Sequence, residues 1–254
     1  MSGACLQGKN ALVTGGTRGI GLAIARGFRG AGAVVWIHGR DLADADMRAE
    51  FGGKYLAADL ADAGAAMVVA RDLAGMTDRL DILVNNAGVE TIMPIDQLDP
   101  AVLEQTWRVN AQAPLELIHA LLPLLKGHDA SVINVTSIHE ATPYPGNVAY
   151  CMSKAALAMA TKVASVELAR YGIRLNNLAP GAIETDINRA VIDAIGRDRW
   201  AEWIPAGRVG STDEVVGPAV FLASDASRYM SGSTIFVDGA YRQNLVRYRP
   251  DGLH

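Results

Sequence analysis

The chain has 254 residues, half of them hydrophobic, and a formal net charge of -4 at pH 7. That length and apolar content suit one domain spanning 1–254 with an ample core, and mild acidity without a basic stripe argues against a nucleic-acid surface. No apolar run reaches the roughly 18 residues of a membrane span.

Cys5 and Cys151 stand too far apart for a thiolate zinc site or a disulfide framework, and residues 11–13 are too short a run for a signal-peptide core. A reducing cytoplasm is the expected compartment. In chain order, residues 11–14 read as a buried strand, the glycine cluster through Gly21 as the turn after it, and 22–30 as the following helix. A second strand is predicted over 33–37 and a shorter third over 54–57, with helical periodicity over 62–74. The stretch between Arg40 and the third strand leaves room only for an abbreviated helix. A fourth strand, 81–84, runs straight into Asn85-Asn86-Ala87-Gly88. A long helix is predicted over 101–125, a strand over 131–136 ending at Ser137, and a second long helix over 149–171 stopped by Gly172. A strand over 173–178 closes on Pro180-Gly181, a helix covers 213–222, and a last strand, 234–237, precedes Asp238-Gly239. Residues 241–254 form a polar, basic tail, either disordered or packed on a neighbouring subunit. Short apolar strands alternating with helices are the pattern of an α/β, doubly wound fold: a mostly parallel sheet with helices on both faces.

The segment Thr14-Gly15-Gly16-Thr17-Arg18-Gly19-Ile20-Gly21 lies between a predicted strand and a predicted helix, where a glycine motif carries weight. Gly15 permits the sharp turn, Gly19 the approach of backbone to a pyrophosphate, and Gly21 close packing of the helix. The phosphates would sit at the helix N-terminus beside Thr17 and Ile20. No Gly-Lys-Ser or Gly-Lys-Thr follows, so this is not a P-loop. The second strand leads to His38-Gly39-Arg40. A site for the unphosphorylated nicotinamide dinucleotide places an acid near here for the ribose diol, and Gly39 has no side chain to offer. Arg40 and Arg18 carry guanidinium groups that suit a 2′-phosphate and point to NADP. NAD stays open, with Arg40 solvated and Asp41 on the diol. Asp59, with Leu60 beside it at the end of the third strand, is either an adenine-edge contact or a turn cap.

Tyr150 and Lys154 are one helical turn apart and share a helix face. A phenol has a free pKa of about 10, and a nearby ammonium favours the phenolate and lowers that value. Ser137, at a strand end, adds a hydroxyl donor to an oxygen on which negative charge develops. Together the three can move a proton on or off an alcohol or carbonyl oxygen, and the glycine turn can hold the hydride carrier. Singly, Ser137 also reads as a cap, Tyr150 as a packing aromatic and Lys154 as a surface charge. No His or acid cluster asks for a metal ion.

The glycine turn, Asn85-Asn86-Ala87-Gly88, Asn110, Ser137, Tyr150-Cys151-Met152-Ser153-Lys154, Pro180-Gly181 with Thr185, and Val237-Asp238-Gly239 occur in that order. In motif, order and spacing, over nearly its whole length, the chain resembles the short-chain dehydrogenase/reductase family. The resemblance implies a seven-stranded doubly wound Rossmann sheet, NAD(P)-dependent hydride transfer and assembly as a homotetramer. It implies that Tyr150 is the acid/base, that Lys154 lowers its pKa and bonds the nicotinamide ribose, and that Ser137 orients the reacting oxygen. Asn110 would hold a water linking Lys154 to solvent; its plainer reading is a helix-kinking structural Asn. Asn86, Ala87 and Gly88 would lie against the adenosine ribose, with Pro180, Gly181, Ile183 and Thr185 around the nicotinamide.

Glu90 and residues 92–95, 139–144 and 184–203 are expected to line the substrate pocket, with Trp200 and Trp203 as an apolar lid that would equally suit a hydrophobic ketone. A pocket carrying Glu90, His139, Glu140 and Asn188 suits a polyhydroxylated substrate such as a sugar or polyol, because each buried hydroxyl needs a partner. Ser137-Ile138-His139-Glu140 and Ile183-Glu184-Thr185-Asp186-Ile187-Asn188 resemble the glucose 1-dehydrogenase and aldose dehydrogenase branch, which oxidises an anomeric hydroxyl to a lactone. Glu90, Ser137, His139, Tyr150 and Asn188 are then the substrate-binding candidates. The plainer readings are solvated Glu90 and Glu140, His139 satisfying a backbone carbonyl, and Asn188 capping a helix. An NADPH-dependent ketone or 3-oxoacyl thioester reductase is the alternative enzyme. A non-catalytic dinucleotide sensor or scaffold is the alternative of another class, for which Asn110, Ser137, Tyr150 and Lys154 together would be superfluous.

Overall fold

The strand segments carry apolar residues at both alternate sets of positions, so both of their faces need cover. In the computed structural model, which describes residues 5–41, 45–185, 189 and 196–244, they build one seven-stranded sheet. Its strands are β1 (Asn10–Thr14), β2 (Val34–Gly39), β3 (Tyr55–Ala57), β4 (Ile82–Asn85), β5 (Ser131–Val135), β6 (Arg174–Pro180) and β7 (Thr234–Val237). The order is β3-β2-β1-β4-β5-β6-β7, and every neighbouring pair is parallel. Alternate side chains enter two separate cores, as the pleat requires. Leu12, Trp36, Leu83, Val132 and Leu175 point into one, and Val13, Ile37, Val84, Ile133 and Leu178 into the other. Each fully buried aliphatic side chain of this kind contributes roughly 1.5–3 kcal/mol.

The helices are α1 (Gly19–Gly30), α2 (Ala45–Glu50), α3 (Ala65–Ala74), α4 (Pro100–Trp107), α5 (Ala113–Leu125) and α6 (Val148–Leu168), followed by the short Arg197–Ala201 and by Asp213–Ala223. α3 and α5 supply Val69, Leu73, Leu117 and Leu121 to the first core, while α1 and Asp213–Ala223 supply Ile24, Phe28 and Leu222 to the second. α2 is the abbreviated helix. The helix predicted over 101–125 is interrupted by a π-helical turn at Arg108–Gln112. Pro114 has no N–H to give the Asn110 carbonyl four residues earlier, so the α pattern cannot pass through unbroken.

The chain crosses from β3 to β4 on the far side of β1, so the strand order reverses between β1 and β4. That reversal opens a crevice beyond the carboxyl ends of the strands. Near those ends runs a series of side-chain hydrogen bonds. Asn85 Nδ2 donates to Asn134 Oδ1 at 2.8 Å, Asn134 Nδ2 to Thr161 Oγ1 at 2.9 Å, and Thr161 Oγ1 to Asn177 Oδ1 at 2.6 Å. Asn177 Nδ2 donates to Thr234 Oγ1 at 3.1 Å, and Thr234 Oγ1 to Glu140 Oε1 at 3.1 Å. The series ties β4, β5, α6, β6 and β7 together with few buried polar atoms left over.

Candidate active site

The crevice floor is set by Thr14 at the end of β1. Its Oγ1 accepts from the N–H groups of Asn86 at 3.0 Å and Ala87 at 3.1 Å. Asn86 returns its Nδ2 to the carbonyls of Thr14 at 3.0 Å and Gly15 at 3.1 Å. The Asn86 amide therefore fastens the glycine turn to the loop after β4. Gly15 turns at φ 61, and a Cβ there would lie 2.9 Å from Ala87 Cα; one on Gly21 would collide with the Gly15 carbonyl oxygen. α1 begins with no side-chain cap from Arg18, which leaves its first-turn N–H groups for an anion.

A cavity of about 470 Å³ occupies the crevice. Every residue predicted for the cofactor lines it: Gly15, Thr17, Arg18, Gly19 and Ile20 from the turn, Arg40, Asp59 and Leu60, then Asn86, Ala87 and Gly88, and Pro180, Gly181, Ile183 and Thr185, along with Tyr150 and Lys154. Asp59 also accepts from Ala61 N at 2.9 Å, so it caps its own turn from the cavity wall. Arg18 is exposed. The Arg40 side chain is 69% exposed at the rim, 3.4 Å from the Asp41 carboxylate.

Tyr150 and Lys154 stand on the first turns of α6, and Ser137 follows β5; all three line the cavity. Lys154 Nζ donates to the Val135 carbonyl at 2.8 Å and lies 5.6 Å from the centre of the Tyr150 ring. Burial lowers the Lys154 pKa to about 8, against the opposing charges of Glu90 and Glu140. Burial, seconded by the Glu90 carboxylate, raises the Tyr150 pKa, while a hydrogen bond with Ser137 works the other way. The expected lowering is thus reversed in this structure, because desolvation of the phenolate outweighs its helpers. At neutral pH Tyr150 carries its proton, the form that can donate to a carbonyl oxygen.

Asn110 is fully buried and does not line the cavity. Its Oδ1 accepts from Val89 N at 2.8 Å, and its Nδ2 donates to Val89 O at 2.8 Å and to Ser153 Oγ at 3.1 Å. The side chain is a clamp between the loop after β4 and α6. A methyl group on Gly88 would lie 3.3 Å from Asn110 Oδ1 and 3.7 Å from Lys154 Nζ, so the three residues meet.

Of the residues expected for the substrate, Glu90, Ser137 and Tyr150 line the cavity. Glu90 accepts from Nδ2 of Asn147, a buried residue that sequence reading missed. His139 stacks on Tyr144 at 5.0 Å and stands edge-on to Tyr150 at 6.4 Å, but its Nδ1 is engaged with the Thr142 carbonyl at 3.0 Å. Glu140 turns away to Thr234. Residues 92–95 and 139–144 lie off the cavity wall. The expected lid is corrected: neither Trp200 nor Trp203 lines the cavity, and Trp200 covers a small satellite core of Ala182, Ile204 and Val209. Asn188 lies outside the described residues. His38, Met47, Tyr55 and Gln105 line the cavity without having been foreseen. The pairing of β2 with β3, which brings Tyr55 beside Ile37, was the available signal for Tyr55. Among the described residues, no helix is long and apolar enough to cross a membrane, and no group of three His, Cys, Asp or Glu side chains could hold a metal ion.

Residues 15–242 match the profile of a family described as enoyl-(acyl carrier protein) reductase. The chain is 34% identical over 251 residues to a 3-oxoacyl-(acyl-carrier-protein) reductase of Chlamydia trachomatis, covering 94% of this chain and 99% of the relative. It is 32% identical over 243 residues to a D-threitol dehydrogenase of Mycolicibacterium smegmatis, covering 93% and 94%. A crystal structure of a gluconate 5-dehydrogenase from Burkholderia cenocepacia, in complex with NADP and tartrate, is similar with a TM-score of 0.85 at 35% identity, covering 93% of this chain and 96% of that one. By fold, by motif and by these likenesses the chain belongs to the short-chain dehydrogenase/reductase family and is an NAD(P)-using oxidoreductase.

Proposed function

We propose that this chain prefers NADP and oxidises a CH–OH group to a carbonyl, or the reverse, with the anomeric carbon of an aldose as substrate and a lactone as product. The cofactor half of the reading is supported by Arg40 and Arg18 on the cavity wall beside a Gly39 that carries no acid, and by the NADP bound to the similar gluconate 5-dehydrogenase. The single observation that carries the substrate half is the Glu90 carboxylate, held by Asn147 on the cavity wall near Tyr150. A carboxylate held in place on a cavity wall is a strong acceptor for a substrate hydroxyl.

When bound, the nicotinamide supplies hydride transfer; the protein supplies position and proton traffic. Tyr150 exchanges its phenolic proton with the substrate oxygen, and Ser137 donates to that oxygen as charge develops on it. Lys154 holds the nicotinamide ribose and feeds the proton path. Asn110, on the π turn, is the residue read as holding the relay water, and its side-chain amide clamps the loop after β4 to α6. His139, stacked on Tyr144 and edge-on to Tyr150, stands behind this wall and braces the phenol.

A ketone or 3-oxoacyl thioester reductase is the second reading. It is favoured by the likeness to the 3-oxoacyl reductase. Reduced-cofactor absorbance, followed with NADP and NAD against aldoses, polyols and secondary alcohols, separates the two. Rapid aldose oxidation with NADP supports the first; silence on every sugar with turnover of a 3-oxoacyl thioester by NADPH replaces it. The assembly proposed is a homotetramer. Met152, Met159, Val163 and Val166 expose an apolar stripe along α6 that fits a subunit contact. A monomer mass by light scattering would remove that proposal.

A further inference from the structure

At the ribose end of the crevice, Gly39 lies where a dinucleotide site keeps its diol-binding acid, about 20 residues past the glycine turn. The space beside it is taken. A Cβ on Gly39 would collide with Tyr55 Oη and come within 2.8 Å of Thr17 Cγ2. Tyr55, which opens β3, is half-buried against the second core and lines the cavity. Its hydroxyl donates to the main-chain carbonyl of Asp41. On the other side of Arg40, the Gly39 carbonyl accepts from Ala58 N at 3.1 Å. The backbone is therefore tied on both sides of Arg40, once by β3's end and once by a phenol.

We propose that Tyr55 is a specificity-determining positioning residue for the cofactor: it occupies the space of a diol-binding acid, and it pins the loop that presents Arg40 to a 2′-phosphate. This rests on the NADP reading above. A guanidinium that is 69% exposed loses rotamer and loop entropy when it grips an anion, and a fixed backbone reduces that cost. On this reading an acid introduced at position 39 meets the Tyr55 hydroxyl first, and its carboxylate has to displace that side chain before reaching a ribose.

The test is fluorescence titration of NADPH and of NADH into the purified wild type, Tyr55→Phe, Gly39→Asp, and Gly39→Asp combined with Tyr55→Val, each checked for a cooperative thermal melt. Tyr55→Phe keeps the ring and loses one hydrogen bond, so NADPH affinity should fall about five-fold with NADH affinity unchanged. Gly39→Asp alone should lose NADPH without gaining NADH. The double variant should bind NADH about ten-fold more tightly than Gly39→Asp, while Tyr55→Val alone, titrated beside it, should leave NADH affinity near the wild-type value; that difference is a coupling independent sites would not show. An unchanged NADPH-to-NADH ratio in Tyr55→Phe, or tight NADH binding by Gly39→Asp alone, overturns the inference. A wild type that binds the two cofactors equally removes the NADP reading itself, and with it the Arg40 half of this one. Tyr55→Phe, the mildest of these changes, keeps the question decidable if the double variant does not fold.

Discussion

Lys154 Nζ is bonded to the Val135 carbonyl at 2.8 Å, so the ammonium of the active site is anchored to β5 and reaches the phenol of Tyr150 only across 5.6 Å to its ring. The two are neighbours in a wall, both buried, each shifted toward its neutral form by that burial. Tyr150→Phe keeps the ring and deletes the proton. It should cut turnover by about 10³-fold, within the span of positioned acid–base catalysis, while the NADPH dissociation constant stays within a few-fold. Near-normal turnover would end the assignment of Tyr150 as acid/base.

Glu90 favours the protonated forms of both Tyr150 and Lys154 through its charge. Removing that charge in Glu90→Gln should let both groups release protons at lower pH. In the oxidation direction, the rise of kcat with pH should therefore move to lower pH than in the wild type. A shift to higher pH, or none, would contradict the action of the Glu90 charge on Tyr150 and Lys154.

His38 is buried in β2, with Nε2 on the Ala58 carbonyl at 3.0 Å, and burial lowers its pKa from 6.5 to about 4. The unfolded chain takes up this proton as pH falls through about 6.5, and the folded chain only near 4, so stability is lost across that window. The full loss is about 3 kcal/mol. Urea midpoints of the wild type at pH 7 and pH 4.5 should fall more steeply than those of His38→Gln. Parallel slopes would place the acid sensitivity elsewhere.

Thr161 sits in the polar series between Asn134 and Asn177. Thr161→Val leaves one amide donor and one amide acceptor buried without partners, at a cost of about 3 kcal/mol. Arg71→Ala, which removes an exposed pair with Asp72, should cost under about 1 kcal/mol. Chemical denaturation of the two variants gives the contrast directly, and equal losses would mean that the series adds nothing.

The alternation of apolar runs with helical periodicity was enough to read the sheet, because its central strands β1, β4, β5 and β6 are buried on both faces. Tyr150 and Lys154 were legible because a helix turns a four-residue spacing into a shared face. What escaped the sequence lies at long separation. Asn147 finds Glu90 57 positions away, and Tyr55 covers Gly39 only because β3 pairs with β2. The π turn at Asn110 was written in Pro114, but its unbroken apolar periodicity hid it. The Trp200 lid failed for a different reason: an indole near a cleft is as readily used to cover a minor core.

The hydrogen bonds from Asn85 to Glu140 all run in one sense. Each donor faces the next acceptor, and the last acceptor is an anion. Asn134 and Asn177 therefore cannot choose their amide orientations one at a time. If one flips, its neighbours meet donor against donor, and the mismatch travels to the next strand. Glu140 is in this way the terminus that sets the polarity of five elements.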